Sequence, residues 1–141
     1  MPSSLKFVVA LIAAGICLAV GSGLVIHYQA QQEVRTNAEQ LTGGDSKAGR
    51  LLMTRYGCSS CHEISGVPAA RGMVGPSLTG VAERSLLAGK LPNTPANMIR
   101  WIREPQSISP GSGMPNLGAS ETDARDMAAY LYTLNKGVPD K

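Results

Sequence analysis

The sequence predicts an all-α protein: a small helical domain preceded by a single N-terminal transmembrane helix. Three observations predict it. Residues 7–26 form twenty consecutive positions without a charge, about 30 Å as a helix and enough to cross a bilayer. Three later segments repeat apolar residues at helical spacing between recognisable caps. No run shows sustained alternation of β-branched residues, so a sheet is not expected. The chain is thus divided into an apolar anchor at 1–28, a polar, helix-forming linker at 29–43 and a domain at 44–141.

The apolar stretch exceeds the roughly 7 to 15 residues usual in a signal peptide, so it is read as an anchor, although Ala19-Val20-Gly21 would pass as a cleavage pattern and leaves processing open. Lys6 and the terminal amine favour a cytoplasmic start, which places the remainder outside. Ile16 is too bulky before a lipid-attachment cysteine, so Cys17 is read as an apolar residue. Gly15, Ala19 and Gly23 recur four apart, a small-residue face that suits a neighbouring helix as well as it suits any membrane helix. From Gln29 to Leu41 the residues are good to fair helix formers without Gly or Pro, and Gly43-Gly44 reads as a hinge.

Asp45 or Ser46 caps a helix with Ala48, Leu51, Leu52 and Tyr56 on one face, and Gly57 ends it. A shorter helix is expected at Val81 to Leu87. Thr94 as cap and Pro95 at the first helical position open a helix through Met98, Ile99, Trp101 and Ile102, which Pro105 stops. Ser120-Glu121-Thr122-Asp123 resembles a capping box before the apolar stripe of Ala124, Met127, Ala128, Leu131 and Leu134, closed by Gly137 and Pro139. Gly49 on the first of these helices and Ala128 with Tyr130 on the last suit a close crossing.

The chemistry lies between the first two of those helices, in Cys58-Ser59-Ser60-Cys61-His62. Two thiols three positions apart, followed at once by an imidazole, form the arrangement that holds a haem covalently: each thiol reaches one vinyl group and the histidine reaches the iron. A zinc site would need two more ligands, yet the only other cysteine and histidine are Cys17 and His27, far upstream. A redox dithiol would want a βαβ pattern around it, and none is visible.

One protein ligand leaves the iron open, so function turns on the sixth position. Met53, Met98 and Met127 lie in amphipathic helical patterns and are read as core fillers. Met73 follows His62 by only eleven residues, too few to pass comfortably round the macrocycle. Met114 falls in Ser109-Pro110-Gly111-Ser112-Gly113-Met114-Pro115-Asn116-Leu117-Gly118, too rich in Gly and Pro to be helix and able to wrap the far face of a haem. Pro115 restrains the backbone beside it. Met114 is therefore taken as the distal ligand and His62 as the proximal one.

Cys58 to His62, the Gly75-Pro76 step, and a Met114-Pro115 loop before a last amphipathic helix resemble a class I monohaem cytochrome c over residues 44–137. The segment from Leu91-Pro92-Asn93-Thr94-Pro95 through Trp101 to Met114 is similar to cytochrome domains associated with subunit II of bacterial haem-copper oxidases. The resemblance implies that the first and last helices of the domain cross and that one haem c is held through Cys58 and Cys61. It also implies that the Pro76 carbonyl orients His62, and that Trp101 and Arg71 lie near the haem propionates. A domain this small has little apolar surface of its own, and a porphyrin would fill much of its core. Tyr56, Trp101, Tyr130 and Tyr132 are the aromatic side chains after residue 50 that are available to pack there.

Residues 44–141 hold eleven Lys or Arg and eight Asp or Glu, a formal +3 before the haem propionates are counted. No charge occurs from Ser107 to Ser120, so docking near Met114 should depend weakly on salt. Nothing resembles a nucleic-acid stripe, a phosphate-binding loop or a paired-carboxylate site. These readings predict a one-electron carrier, not an enzyme, held in the cytoplasmic membrane with its haem domain on the periplasmic side. It would carry electrons from a quinol-oxidising complex to a terminal oxidase, either free or as a subunit of one. The alternative is a haem sensor or peroxidase-like protein with a labile sixth ligand.

Overall fold

A computed structural model of the chain describes residues 2–135. Its elements are α1 (Ser3–Thr42), α2 (Ser46–Arg55), α3 (Cys58–Cys61), a 3₁₀ turn (Val81–Glu83), β1 (Leu86–Leu87), β2 (Leu91–Pro92), α4 (Pro95–Arg103), α5 (Pro105–Ile108) and α6 (Glu121–Thr133). The chain divides into two units, with the boundary inside α1 between Glu33 and Val34.

In the first unit α1 is exposed all round: Phe7, Ile12 and Leu18 are among its uncovered apolar side chains. An 18-residue window reaches a mean hydropathy of 2.5, so this helix is long and apolar enough to cross a membrane.

In the second unit the last turns of α1 enter the folded body, where Ala38 and Thr42 are each 2 % exposed. Gly43 ends α1 in the left-handed region at φ +67, its N–H donating to the Glu39 carbonyl at 2.8 Å. The hinge that the glycine pair suggests is instead a tied turn. Arg125 Nη1 donates to the Thr42 carbonyl at 3.1 Å, the Asp45 N–H donates to Asp126 Oδ1 at 2.7 Å, and a methyl on Gly44 would fall 2.3 Å from the Arg125 carbonyl oxygen.

Asp45 is the cap of α2, accepting from the N–H groups of Lys47 at 2.7 Å and Ala48 at 3.2 Å. Glu39 Oε1 stitches α1 to α2, accepting from Arg35 Nε at 3.0 Å, Ser46 Oγ at 2.7 Å and Ser46 N at 3.2 Å. Desolvation raises the Glu39 pKa, but these donors outweigh it and leave the carboxyl below its ordinary range. A depressed folded pKa means that the contribution is present above the unfolded value and is lost as pH falls through the folded one. Glu39→Gln should therefore destabilise the protein by about 1 kcal/mol near neutral pH, with the gap to wild type closing in acid. Urea unfolding at two pH values measures it.

Helix α6 is the centre of the core, with Ala124, Met127, Ala128 and Ala129 at 0 % exposure. It packs mainly against α2 and secondarily against α4. The crossing with α2 is tight because Gly49 presents no side chain: a methyl there would sit 1.9 Å from the Asp126 carbonyl oxygen. Its contact is thus the Asp126–Met127 backbone. Met53 and Met98 are each 2 % exposed and, with Met127, fill the core as expected. Thr94 and Ser120 cap α4 and α6 by accepting from Asn97 N at 3.3 Å and Asp123 N at 3.0 Å. The Asp123 carboxylate accepts from the Tyr56 hydroxyl at 2.5 Å, a link from α6 to the end of α2. The closing residues Gly137 and Pro139 lie outside the described residues.

The expected helix from Val81 to Leu87 is corrected. Only Val81–Glu83 is helical, as one 3₁₀ turn, and Leu86–Leu87 pairs antiparallel with Leu91–Pro92. Asn93 supplies the reason, because its Nδ2 donates to the carbonyls of Val81 and Arg84, both at 2.8 Å, and so takes up acceptors that a continuing helix would use. Ala88 at φ 50 and Gly89 at φ 67 then turn the chain, closed by the Lys90 N–H to the Leu87 carbonyl at 2.9 Å, as a primed hairpin turn requires.

Candidate functional site

Helix α2 delivers the cysteine motif. Gly57, at φ 73, turns the chain out of α2, and Cys58–Cys61 forms a single helical turn closed by the His62 N–H on the Cys58 carbonyl at 2.9 Å. Both thiols are free and partly buried. Burial pushes the Cys58 thiol pKa up, with the neighbouring Cys61 adding to the rise and a backbone hydrogen bond opposing it. A partly buried thiol with a raised pKa, as at Cys58, is the reverse of the low-pKa thiolate that redox dithiols use. Among the described residues, no three His, Cys, Asp or Glu side chains gather as a metal-ion site.

His62 leaves the α3 turn in extended conformation, and its ring is held from two sides. Its Nδ1 lies 2.7 Å from the Pro76 carbonyl oxygen. A carbonyl only accepts, so Nδ1 carries the proton and Nε2 keeps its lone pair for another bond. Gly75 lies against the ring itself, where a methyl would come within 2.4 Å of Cε1. The Gly75 N–H donates to the Cys61 carbonyl at 2.8 Å, and a methyl on Gly72 would fall 2.5 Å from the Cys61 carbonyl carbon. The 72–76 segment thus lies flat against the motif, which only glycine permits at these two positions. Gly75→Ala should drive the ring off Pro76; loss of the Nδ1–H signal's protection in the NMR spectrum, in an otherwise folded protein, is the expected result.

The structure therefore brings Cys58, Cys61, His62 and Pro76 together. Met114 is half-buried in the loop before α6 and Trp101 is half-buried on α4; among the described residues no hydrogen bond joins either to the Cys58–His62 group. Arg71 is exposed, in an isolated bridge with Glu63. One residue that the sequence reading missed stands beside Met114. The Gln106 side chain reaches the Met114 carbonyl at 2.6 Å. Its only sequence signal is a long amide just ahead of a loop with few donors of its own.

A family model described as "Cytochrome c" matches residues 46–135. Cytochrome c oxidase subunit 2 of Alkalihalophilus pseudofirmus is 36 % identical over 97 residues, which cover 68 % of this chain and 28 % of the relative. The same subunit of Bacillus subtilis is 32 % identical over 99 residues, 66 % of this chain and 26 % of the relative. The chain thus spans only about a quarter of these subunits. Cytochrome c2 of Rhodoblastus acidophilus is 34 % identical over 107 residues, 62 % of this chain and 91 % of the relative. No solved structure matches.

Proposed function

The chain belongs to the cytochrome c family of electron-transfer proteins, and from that premise we propose that it is a membrane-anchored one-electron carrier serving a terminal oxidase, to which it delivers electrons or in which it is a subunit. The observation that carries the reading is the His62–Pro76 contact at 2.7 Å, which leaves Nε2 as a free ligand directly after two partly buried, unpaired thiols. This donor set fits haem c: Cys58 and Cys61 would tether it by thioether bonds, His62 would be the proximal ligand and Met114 the distal one. When bound, the haem supplies the one-electron ferric/ferrous couple.

The protein's own contribution is to fix the ligands. Pro76 and Gly75 hold the imidazole in one tautomer and one plane, which makes it a better and less mobile base. With His62 and Met114 both holding the iron, no position would be left for a substrate, and the thioether would raise the potential into the range suited to the end of a respiratory chain. The segment that carries Met114 has no charge from Ser107 to Ser120, so partner docking there would rely on apolar fit more than on steering. Anchoring is supported by the exposed apolar face of α1, and an outward haem domain by Lys6 ahead of it. The link to an oxidase is supported by the relatives' identity as oxidase subunit 2.

Native membranes test the whole reading. The haem-stained chain is expected to resist alkaline washing and to copurify with terminal-oxidase activity, and its ferrous form to bind carbon monoxide only slowly. Release by the wash removes the anchor, and rapid carbon monoxide binding replaces the carrier with a sensor.

A further inference from the structure

Loop 109–118, which presents Met114, has little to hold itself in shape. It contains Pro110, Gly111, Gly113, Pro115 and Gly118, and its one internal backbone hydrogen bond among the described residues runs from Ser112 N to the Ser109 carbonyl at 3.1 Å. Inside the loop the Ser112 hydroxyl also donates to the Met114 carbonyl at 3.2 Å, and the other side-chain contacts come from Gln106, the second residue of α5. Oε1 of that amide accepts from the Gly111 N–H at 3.0 Å. The two N–H groups of Nε2 serve the Met114 carbonyl at 2.6 Å and, shared between them, the Ser112 carbonyl at 2.8 Å and Ser112 Oγ at 3.0 Å. The Gln106 backbone N–H adds Asn116 Oδ1 at 3.3 Å.

The amide can point only one way. Gly111 offers a donor and the two carbonyls offer only acceptors, so a flipped side chain would oppose like groups at each end. The grip on Met114 falls on a peptide that has an acceptor and no donor. Pro115 has no N–H, and the peptide between Met114 and Pro115 therefore exposes its carbonyl oxygen alone.

We propose that Gln106 is the positioning residue for Met114: its side-chain amide clamps residues 111–114 and thereby sets how firmly the thioether holds the distal side of the haem. The inference rests on the distal role assigned to Met114 above. An unclamped loop keeps the same sulfur but spends more time with it withdrawn, so an outside ligand competes better.

The test uses the full-length haem-loaded protein and imidazole as the competing ligand, in wild type, Gln106→Leu, Gln106→Glu and Met114→Ala. Both Gln106 variants should bind imidazole to the ferric form at least tenfold more tightly than wild type, about 1.4 kcal/mol, and the Gly111 amide should exchange with solvent at least tenfold faster. Gln106→Glu keeps the shape of the side chain without its donors, so it carries the test if the leucine variant does not fold. Imidazole affinities within twofold of wild type in the Gln106 variants, while Met114→Ala gains strongly, overturn the clamp and leave the ligand assignment standing. The same holds if only the unfolding midpoint moves. No gain in Met114→Ala overturns the distal role itself, and the clamp with it.

Discussion

Met114→Ala is expected to abolish the weak long-wavelength charge-transfer band of the ferric protein. It should also lower the reduction potential by about 0.1–0.3 V, a fraction of the roughly 0.8 V that axial ligands span. The loop itself should survive, because Gln106 grips the Met114 carbonyl and not its side chain. The covalent tether should survive as well, since Cys58 and Cys61 stand on a separate turn of helix. What disappears is the thioether, and a methyl group cannot reach or bond in its stead. The ferrous variant should then bind carbon monoxide quickly. An unchanged ferric spectrum in this variant would transfer the distal role to another group and withdraw the carrier reading. Titration of the potential against a mediator series, with the band recorded on the same sample, measures both effects.

Gly49→Ala should be the most destabilising single methyl that can be added to the domain. The new carbon would sit 1.9 Å from the Asp126 carbonyl oxygen and 2.5 Å from its carbon, and both are backbone atoms of α6 that no rotamer change can move. Alanine gains about 1 kcal/mol over glycine in a helix interior, yet α2 and α6 must separate to admit it. Their interface carries the largest share of the helix packing, so a net loss of about 3 kcal/mol is expected, at the upper end for overpacking. In a small domain with roughly 5–15 kcal/mol in total, that is a large fraction. Guanidinium unfolding followed at Trp101 should show the midpoint falling sharply; a midpoint equal to wild type would mean that the crossing yields more easily than its geometry implies.

Much of this fold is legible in the sequence because it rests on local signals. Thr94-Pro95 opens α4 and Ser120 opens α6 through caps that act within three residues. The three buried methionines follow from helical periodicity alone, and the core confirms them. The cysteine turn and the Pro76 contact with His62 lie within the nineteen residues 58–76 and come from one motif and one family resemblance. What escaped is decided at a distance. Val81–Leu87 has apolar spacing that suits a helix, but Asn93, from beyond the hairpin, binds the carbonyls instead. Gly43-Gly44 has the composition of a hinge, and only the approach of Arg125 and Asp126 from the other end of the domain makes it a fixed turn. Gln106 has no periodic signature, because one amide gripping an irregular loop leaves no repeat to read.

The burial of Ala38 and Thr42 decides where a water-soluble fragment can begin. Cutting at the glycine pair would strip off the last turns of α1 with the buried Ala38 and Thr42, remove the Thr42 carbonyl that Arg125 holds and discard every hydrogen bond made by Glu39. A start near Val34 keeps all of these and leaves out the exposed apolar stretch, so the natural excision point lies one helical turn before the first buried side chain, well inside what looks on paper like a disposable stalk.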